Sequence, residues 1–306
     1  MRTDLPDLFP GFESITVETA TARLFCRVGG SGPPLLLLHG YPQSHVIWHT
    51  IAPRLAEHFT LILPDLPGYG RSSVPPLSDD HAAYSKRAMA GAFTELMNVL
   101  GHRRFFLAGH DRGGRVAYRL ALDHPEAIER LAVLDILPTS DYWDRMDRTF
   151  GLKIYHWMFL AQPAPFPEKL IAASPVRFLE HTLASWTGDK TLSCFSAEAL
   201  AHNRDWFCDP DRISATCEDY RAGATIDYDH DRADLEAGNR IDLPLLALWG
   251  DKGIATSVDD PLAAWRIWCP KAIGKILPCG HFLPEEAPES TSEALQRFFT
   301  AGSFLT

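Results

Sequence analysis

Phe105-Phe106-Leu107-Ala108-Gly109-His110-Asp111-Arg112-Gly113-Gly114 decides how this chain is read. Its bare apolar start has the character of a strand buried on both faces, and Arg112 to Asp123 has the composition and length of a helix. Between them, Gly109 to Gly113 spells Gly-x-Asp-x-Gly, a sharp strand–turn–helix. Such a turn forces its central residue into strained backbone angles and leaves no room for neighbouring Cβ atoms, hence the flanking glycines. It would set the Asp111 carboxylate at the top of a sheet, beside the positive end of the next helix. The plainer alternative is a Gly-rich turn with Asp as a helix cap. The position between a buried strand and a helix favours a functional carboxylate.

Outward from this turn the pattern repeats. LLLLH (35–39), LILPD (61–65) and LAVLD (131–135) are further short apolar runs, separated by helix-like Val46 to Phe59, Tyr84 to Leu100 and Arg112 to Asp123. This alternation predicts βα units and a parallel sheet covered by helices, an α/β fold. After Asp135 the pattern stops, and residues 139 to about 238 are rich in Trp, His, Pro and charge, with helix-like stretches only. LPLLALWG (243–250) restarts the strands, followed by helix-like Pro261 to Trp268 and a last helix around Ser290 to Phe299. The expected organisation is a core domain of residues 1–138 and 240–306 with a helical cap of 139–239.

The 306 residues carry 29 Lys+Arg against 39 Asp+Glu, a formal net charge of −10, with 46% hydrophobic and 22% charged residues. That composition excludes a disordered, collagen-like or fibrous chain. The acidic balance argues against wrapping nucleic acid or docking on an anionic membrane. The N-terminal MRTDLPDLFPGFE shows no apolar signal segment, and the longest apolar run, Pro33 to Leu38, is far too short to span a bilayer. Six cysteines without a C-x-x-C pair fit a reduced, cytoplasmic protein.

Two further groups complete a candidate reaction centre in the chain order nucleophile, acid, histidine. His281 lies in Cys279-Gly280-His281-Phe282-Leu283-Pro284-Glu285-Glu286, after the last strand-like segment. Asp135 ends a strand, and Asp251, which follows the strand ending Trp249-Gly250, is the alternative acid; a strand-end cap or salt bridge is the simpler role for Asp251. A carboxylate attacking an ester or amide would give a mixed anhydride, uphill from the substrate. Attack on a saturated carbon bearing a leaving group gives an ordinary ester instead. Asp111 therefore points to two-step displacement at carbon, with His281 activating water against the ester, and the reaction requires no metal or cofactor. Arg112 and Arg115 are three apart on the helix that opens at the turn, so they share a face suited to holding a substrate carboxylate. A salt bridge to a structural acid, in the insertion for instance, is the competing role. His156, Trp157 and Tyr220 supply donors from the insertion; taken singly, each reads better as a core or interface residue.

Together with His39-Gly40-Tyr41-Pro42 and Asp65-Leu66-Pro67-Gly68-Tyr69-Gly70-Arg71-Ser72, these residues resemble the α/β-hydrolase superfamily, in the branch holding epoxide hydrolases and dehalogenases. Gly-His-Asp-Arg-Gly-Gly-Arg, Leu-Asp-Ile-Leu-Pro, Lys-Ile-Tyr-His-Trp, Cys-Glu-Asp-Tyr-Arg-Ala-Gly and Gly-His-Phe-Leu-Pro-Glu-Glu narrow the likeness to fluoroacetate (haloacetate) dehalogenases. The resemblance implies an α/β-hydrolase fold, a mostly parallel sheet with helices on both faces and a helical cap. It implies a triad of Asp111, His281 and Asp135, Arg112 and Arg115 on the carboxylate, and a halide pocket of His156, Trp157 and Tyr220. The backbone N–H groups of Tyr41 and Arg112 would form the oxyanion hole. Haloacetate and water as reactants and a homodimeric assembly are implied likewise. An epoxide hydrolase is the alternative, although that branch often has Trp where this chain has Arg112. A non-catalytic receptor on the same fold would show an eroded triad, and here every member is present.

The remaining signals carry less. His45-x-x-x-His49 has metal-ligand spacing but no acidic partner nearby in sequence, so a polar face is the better reading. Asp227 to Asp234 lacks the Gly and terminal Glu of a calcium loop and reads as a solvated helix start. Gly68-Tyr69-Gly70 is a turn, and Glu285 and Glu286 are expected to favour the start of the last helix.

Overall fold

A computed structural model describes residues 4–257 and 260–300. An eight-stranded sheet forms its centre, built from β1 (Glu13–Glu18), β2 (Arg23–Gly30), β3 (Pro34–Leu38), β4 (Thr60–Pro64), β5 (Phe105–His110), β6 (Ile128–Leu134), β7 (Leu245–Gly250) and β8 (Ile273–Leu277). The order is β1-β2-β4-β3-β5-β6-β7-β8. β2 pairs antiparallel with β1 and β4, and the pairs from β4 through β3, β5, β6 and β7 to β8 are parallel.

The bare apolar strands are buried because each face has its own core. Leu36, Leu38, Ile62, Leu107, Leu131 and Val133 enter one hydrophobic cluster. Their chain neighbours Leu35, Leu37, Leu61, Leu63, Phe106, Ala108, Ala132 and Leu134 enter the other. This is the period-two alternation of a strand with no solvent face. The first cluster continues into the helices between β6 and β7, through Phe150, Trp157, Leu183 and Tyr220.

On the sheet are α1 (Ala52–Ala56), α2 (Lys86–Val99) and α3 (Asp111–Asp123). Between β6 and β7 run α4 (Thr139–Asp144), α5 (Arg148–Lys153), α6 (Tyr155–Leu160), α7 (Phe166–Ala172), α8 (Pro175–Trp186), α9 (Ala197–Phe207), α10 (Pro210–Ala224) and α11 (Ile226–Ala237). α12 (Pro261–Trp268), α13 (Leu283–Glu286) and α14 (Pro288–Thr300) follow. Ser85, Asp147, Ser196 and Asp209 accept first-turn amides of α2, α5, α9 and α10, the usual way to satisfy orphan N–H groups. No helix among the described residues is long and apolar enough to cross a membrane, and the six cysteines are unpaired.

Two expectations need correction, and one element lay outside them. The single helix expected over Val46 to Phe59 is a 3-10 turn, His45–Trp48, followed by the short α1; Pro53 lacks the N–H that would continue a helix through this stretch. The β1–β2 hairpin was not foreseen, because β1 (ESITVE) is mostly exposed and neither strand is a bare apolar run. Asp227 to Asp234 is no solvated helix start. Asp227, Asp231 and Asp234 lie on the buried face of α11, four and three residues apart. Lys86 Nζ reaches Asp227 at 3.1 Å, and Arg119 reaches Asp231 at 3.1 Å and Asp234 at 2.5 Å.

Candidate active site

The loops that leave the C-terminal ends of β3, β5, β6 and β8 meet above the sheet, the usual place for a site in a parallel α/β fold. Asp111 opens α3 with φ +46°, a left-handed conformation that costs a non-glycine residue energy. Its neighbours show why the turn needs glycine. A Cβ on Gly109 would lie 2.4 Å from Gly113 O, and one on Gly113 would lie 2.2 Å from His39 O.

Asp111 is 5% exposed, and its Oδ1 accepts the Tyr41 amide at 2.9 Å. The Arg112 amide, the other expected oxyanion donor, makes no bond to that oxygen among the described contacts. His281 Nε2 lies 3.9 Å from Asp111 Oδ2 and has no hydrogen-bond partner. On the far side of the ring, Nδ1–H donates to Asp135 Oδ2 at 2.6 Å. Asp135 also has positive φ (+50°), and it accepts the amides of Ile254 at 2.8 Å and Gly250 at 3.3 Å. Asp251, the alternative acid, is exposed at the end of β7, and its amide donates to Leu277 O at 2.8 Å. The structure thus brings Asp135, not Asp251, to the imidazole.

Burial pushes the Asp111 carboxyl up, but His281, His110, Arg112 and Arg115 outweigh it and hold the group below its ordinary value. It is a carboxylate at neutral pH. Burial pulls His156 down to about 3 despite the attraction of Asp111, so that ring is neutral. Burial, reinforced by Asp111, keeps Tyr220 protonated well above the ordinary tyrosine range. Both therefore face the nucleophile as neutral groups.

The insertion closes the roof. His156 and Tyr220 rings meet edge to face at 5.6 Å, Trp157 lies 6.0 Å from Tyr220, and Tyr220 lies 5.3 Å from Tyr41. Tyr220 Oη, Tyr41 Oη and His156 Nδ1 are buried without a partner. Arg112 and Arg115 converge on one indole, their guanidinium carbons 5.5 and 4.4 Å from the Trp157 ring centre. Arg112 does take the competing role of pairing with an acid of the insertion: Nε and Nη2 each meet Asp219 at 2.9 Å. Arg115 Nη1 donates to Leu137 O at 3.0 Å and Thr139 Oγ1 at 3.2 Å instead of to an acid. Each guanidinium still keeps a buried nitrogen free, Nη1 of Arg112 and Nε of Arg115.

Several residues here have roles other than those the sequence suggested, or roles it did not suggest at all. Glu286 does not simply favour the last helix. It ends α13, where Oε2 accepts the amides of Gly188 at 2.7 Å and Gly280 at 2.8 Å, and Oε1 accepts that of Phe282 at 2.9 Å. Glu285 is likewise buried, under the Gln43 amide at 2.7 Å, rather than at the start of α14. His110 Nε2 donates to His281 O at 2.8 Å, and the His281 amide donates to Trp186 O at 3.0 Å. The signal for Glu286 lay in the Gly280 to Glu286 run itself, whose acid returns to the loop that carries the histidine. Elsewhere, His45 Nδ1 pairs with Asp65 at 2.8 Å and His49 Nδ1 with Val46 O at 2.8 Å. No group of three or more His, Cys, Asp or Glu side chains placed to share a metal ion occurs among the described residues.

Comparison with known proteins agrees with this architecture. The family model for the alpha/beta hydrolase fold matches residues 33–288. The chain belongs to the α/β-hydrolase family. It is 44% identical to a fluoroacetate dehalogenase of Burkholderia sp over 96% of this chain and 95% of that one. It is 32% identical to a soluble epoxide hydrolase of Corynebacterium sp. (strain C12), over 90% of this chain and 93% of that one. The solved structure of ALR0039 from Nostoc sp PCC 7120 superposes with a TM-score of 0.91 at 50% identity, covering 94% of this chain and 98% of that one.

Proposed function

We propose that this chain is a hydrolytic dehalogenase that converts haloacetates, fluoroacetate among them, to glycolate and halide. One observation carries the reading: an ionised carboxylate stands at the turn after β5, beneath neutral polar groups and two arginines whose free nitrogens have no protein partner. The relative at 44% identity supports it.

In the first step Asp111 Oδ2 forms a bond to the halogen-bearing carbon, and the halide leaves with the bonding pair into a pocket of His156, Trp157 and Tyr220. Arg112 and Arg115 hold the substrate carboxylate, placing the carbon for in-line attack. In the second step His281 Nε2 takes a proton from water as the water oxygen bonds to Asp111 Cγ. Charge develops on Oδ1, where the Tyr41 amide is already in place. Asp135 fixes the ring with Nδ1 protonated, so Nε2 is the basic nitrogen. Collapse returns the proton from Nε2 to the departing glycolate oxygen and leaves Asp111 as a carboxylic acid, whose remaining proton passes by way of Nε2 to solvent and so restores the carboxylate.

Residues 139–239 act as the cap that supplies the leaving-group pocket to a core of 1–138 and 240–306. The protein works in the cytoplasm, as its unpaired cysteines suit. It works as a homodimer, consistent with exposed Leu152, Tyr155, Met158, Phe166, Leu170 and Val176 on α5 to α8.

The second reading, an epoxide hydrolase, draws on the two unpartnered tyrosine hydroxyls, Tyr41 and Tyr220, which could protonate an opening epoxide. Incubation with fluoroacetate, chloroacetate and a small aryl epoxide separates the two; diol formation without halide release would sink the dehalogenase. With His281→Gln, chloroacetate should leave one carboxymethyl group on Asp111, seen as a mass gain, and an unchanged mass would contradict attack by Asp111.

A further inference from the structure

The segment Cys217-Glu218-Asp219-Tyr220-Arg221-Ala222-Gly223 does more than present Tyr220. Three of its residues handle the guanidinium of Arg112. Asp219 binds two of its nitrogens and also accepts Nη2 through the main-chain carbonyl at 2.6 Å. Tyr220 lies under it, with Cζ 4.2 Å from the ring centre. Gly223, one turn beyond Asp219, leaves space: a Cβ there would stand 3.0 Å from Nη2 and 3.5 Å from Nη1.

Asp219 has no capacity left for a ligand. It is fully buried, and its oxygens also accept Tyr69 Oη at 2.6 Å and Lys86 Nζ. Four donors saturate a carboxylate. An acid this close offsets the charge of Arg112, and Lys86, buried on the same carboxylate, is itself offset by Asp227. With Arg115 alongside, three cations face Asp219, Asp227 and the ionised Asp111, so a monocarboxylate would be held by directed bonds from the free guanidinium nitrogens and not by a surplus charge.

Resting on the reading of Arg112 as a carboxylate holder, we propose that Asp219 is its positioning residue. It grips the Nε–Nη2 edge so that the free Nη1 is presented to the substrate, and with Lys86 it sets the affinity of the site for small carboxylates. Asp219 touches no reacting atom in this scheme, so its loss should show in binding rather than in chemistry.

The test is Asp219→Asn, with halide release from chloroacetate giving KM and kcat, and acetate as a competitive inhibitor giving Ki. Losing a bidentate charged grip should raise KM and the acetate Ki about tenfold or more and leave kcat within about threefold. A fall in kcat with KM and Ki unchanged overturns the proposal, since a merely structural role would damage turnover first. Arg112→Leu is run in parallel. If it leaves KM and Ki unchanged, the reading of Arg112 itself is wrong; if it raises both while Asp219→Asn does not, Asp219 alone is ruled out. Should Asp219→Asn not fold, Tyr69→Phe removes one of the four donors and decides the matter. It should raise KM about two- to threefold at constant kcat, and an unchanged KM overturns the proposal.

Discussion

Glu285 should make the fold less stable as pH rises, and replacing it by Gln should cancel that loss. Its carboxyl is buried beside the loop that carries His281; Oε2 accepts one bond from Gln43, and Oε1 accepts no hydrogen bond, with His49 Nδ1 4.0 Å away. Burial, with a smaller push from Glu286, raises its pKa to about 8 against the opposing Gln43 bond, from an ordinary 4.5. The sign follows from linkage. Below pH 4.5 folded and unfolded chains both carry the proton, so the group is neutral in its effect. Between 4.5 and about 8 the unfolded chain gives up the proton while the folded one keeps it, and stability falls by about 1.4 kcal/mol for each pH unit. At pH 7 the accumulated penalty is on the order of 3 kcal/mol. Glu285→Gln keeps the shape and stays neutral, and it leaves an amide about as poorly bonded as the protonated acid. It should match the wild type near pH 5 and exceed it by on the order of 2–3 kcal/mol at pH 7. Urea denaturation of both proteins at pH 5, 6, 7 and 8 isolates the effect, because titrating groups that do not interact with Glu285 cancel in the difference. A difference that is flat with pH, or a Gln variant that loses ground as pH rises, would refute the reasoning.

Other perturbations have equally direct expectations. A Cβ on Gly40 would stand 2.4 Å from Asp111 Cβ and 2.8 Å from its Oδ1; Gly40→Ala should displace the carboxylate and lower kcat for chloroacetate about a hundredfold or more, and near-normal turnover would mean that Asp111 is not held as described. Glu286→Ala strips the acceptor from the amides of Gly188, Gly280 and Phe282; a loss of about 3 kcal/mol in urea denaturation together with slower ester hydrolysis is expected, whereas unchanged kcat would show that the clamp does not position His281. Arg119→Met leaves Asp231 and Asp234 without their cation, costing about 3–5 kcal/mol. Burial already holds Asp231 up at about 6 against the pull of Arg119, so removing the arginine raises it further. The damage should then be greater at pH 8 than at pH 5, and an equal loss at both would contradict that.

What sequence could reveal follows from where each residue's partners lie along the chain. β3 to β7 were readable because both faces are covered, so each appears as a bare apolar run. β1, largely exposed at the sheet edge, carries no such mark. The choice between Asp135 and Asp251 was open because both follow strand ends. It depends on the φ of +50° at Asp135 and on a loop in which a Cβ on Gly253 would collide with Asp135 Oδ1, and neither is a local property. Helical spacing placed Arg112 and Arg115 on one face. It could not show that Asp219, 107 residues away, would occupy one edge of Arg112 while Arg115 found a carbonyl.

The same distinction between local and global settles the charge. A net charge of −10 acts mostly through exposed side chains, whose fields are screened by water and salt within about 10 Å at ordinary ionic strength. Arg112 and Arg115 are at most 1% exposed, in a region where the same charge acts through far less solvent. The carboxylate partner of Arg112, Asp219, is also bound by Lys86. A small anion that reaches the turn after β5 therefore meets two buried guanidiniums beside the Asp111 carboxylate, a local arrangement that the net charge does not describe. A preference for a small carboxylate would then follow from the free nitrogens that Arg112 and Arg115 keep there, and not from the sign of the whole chain.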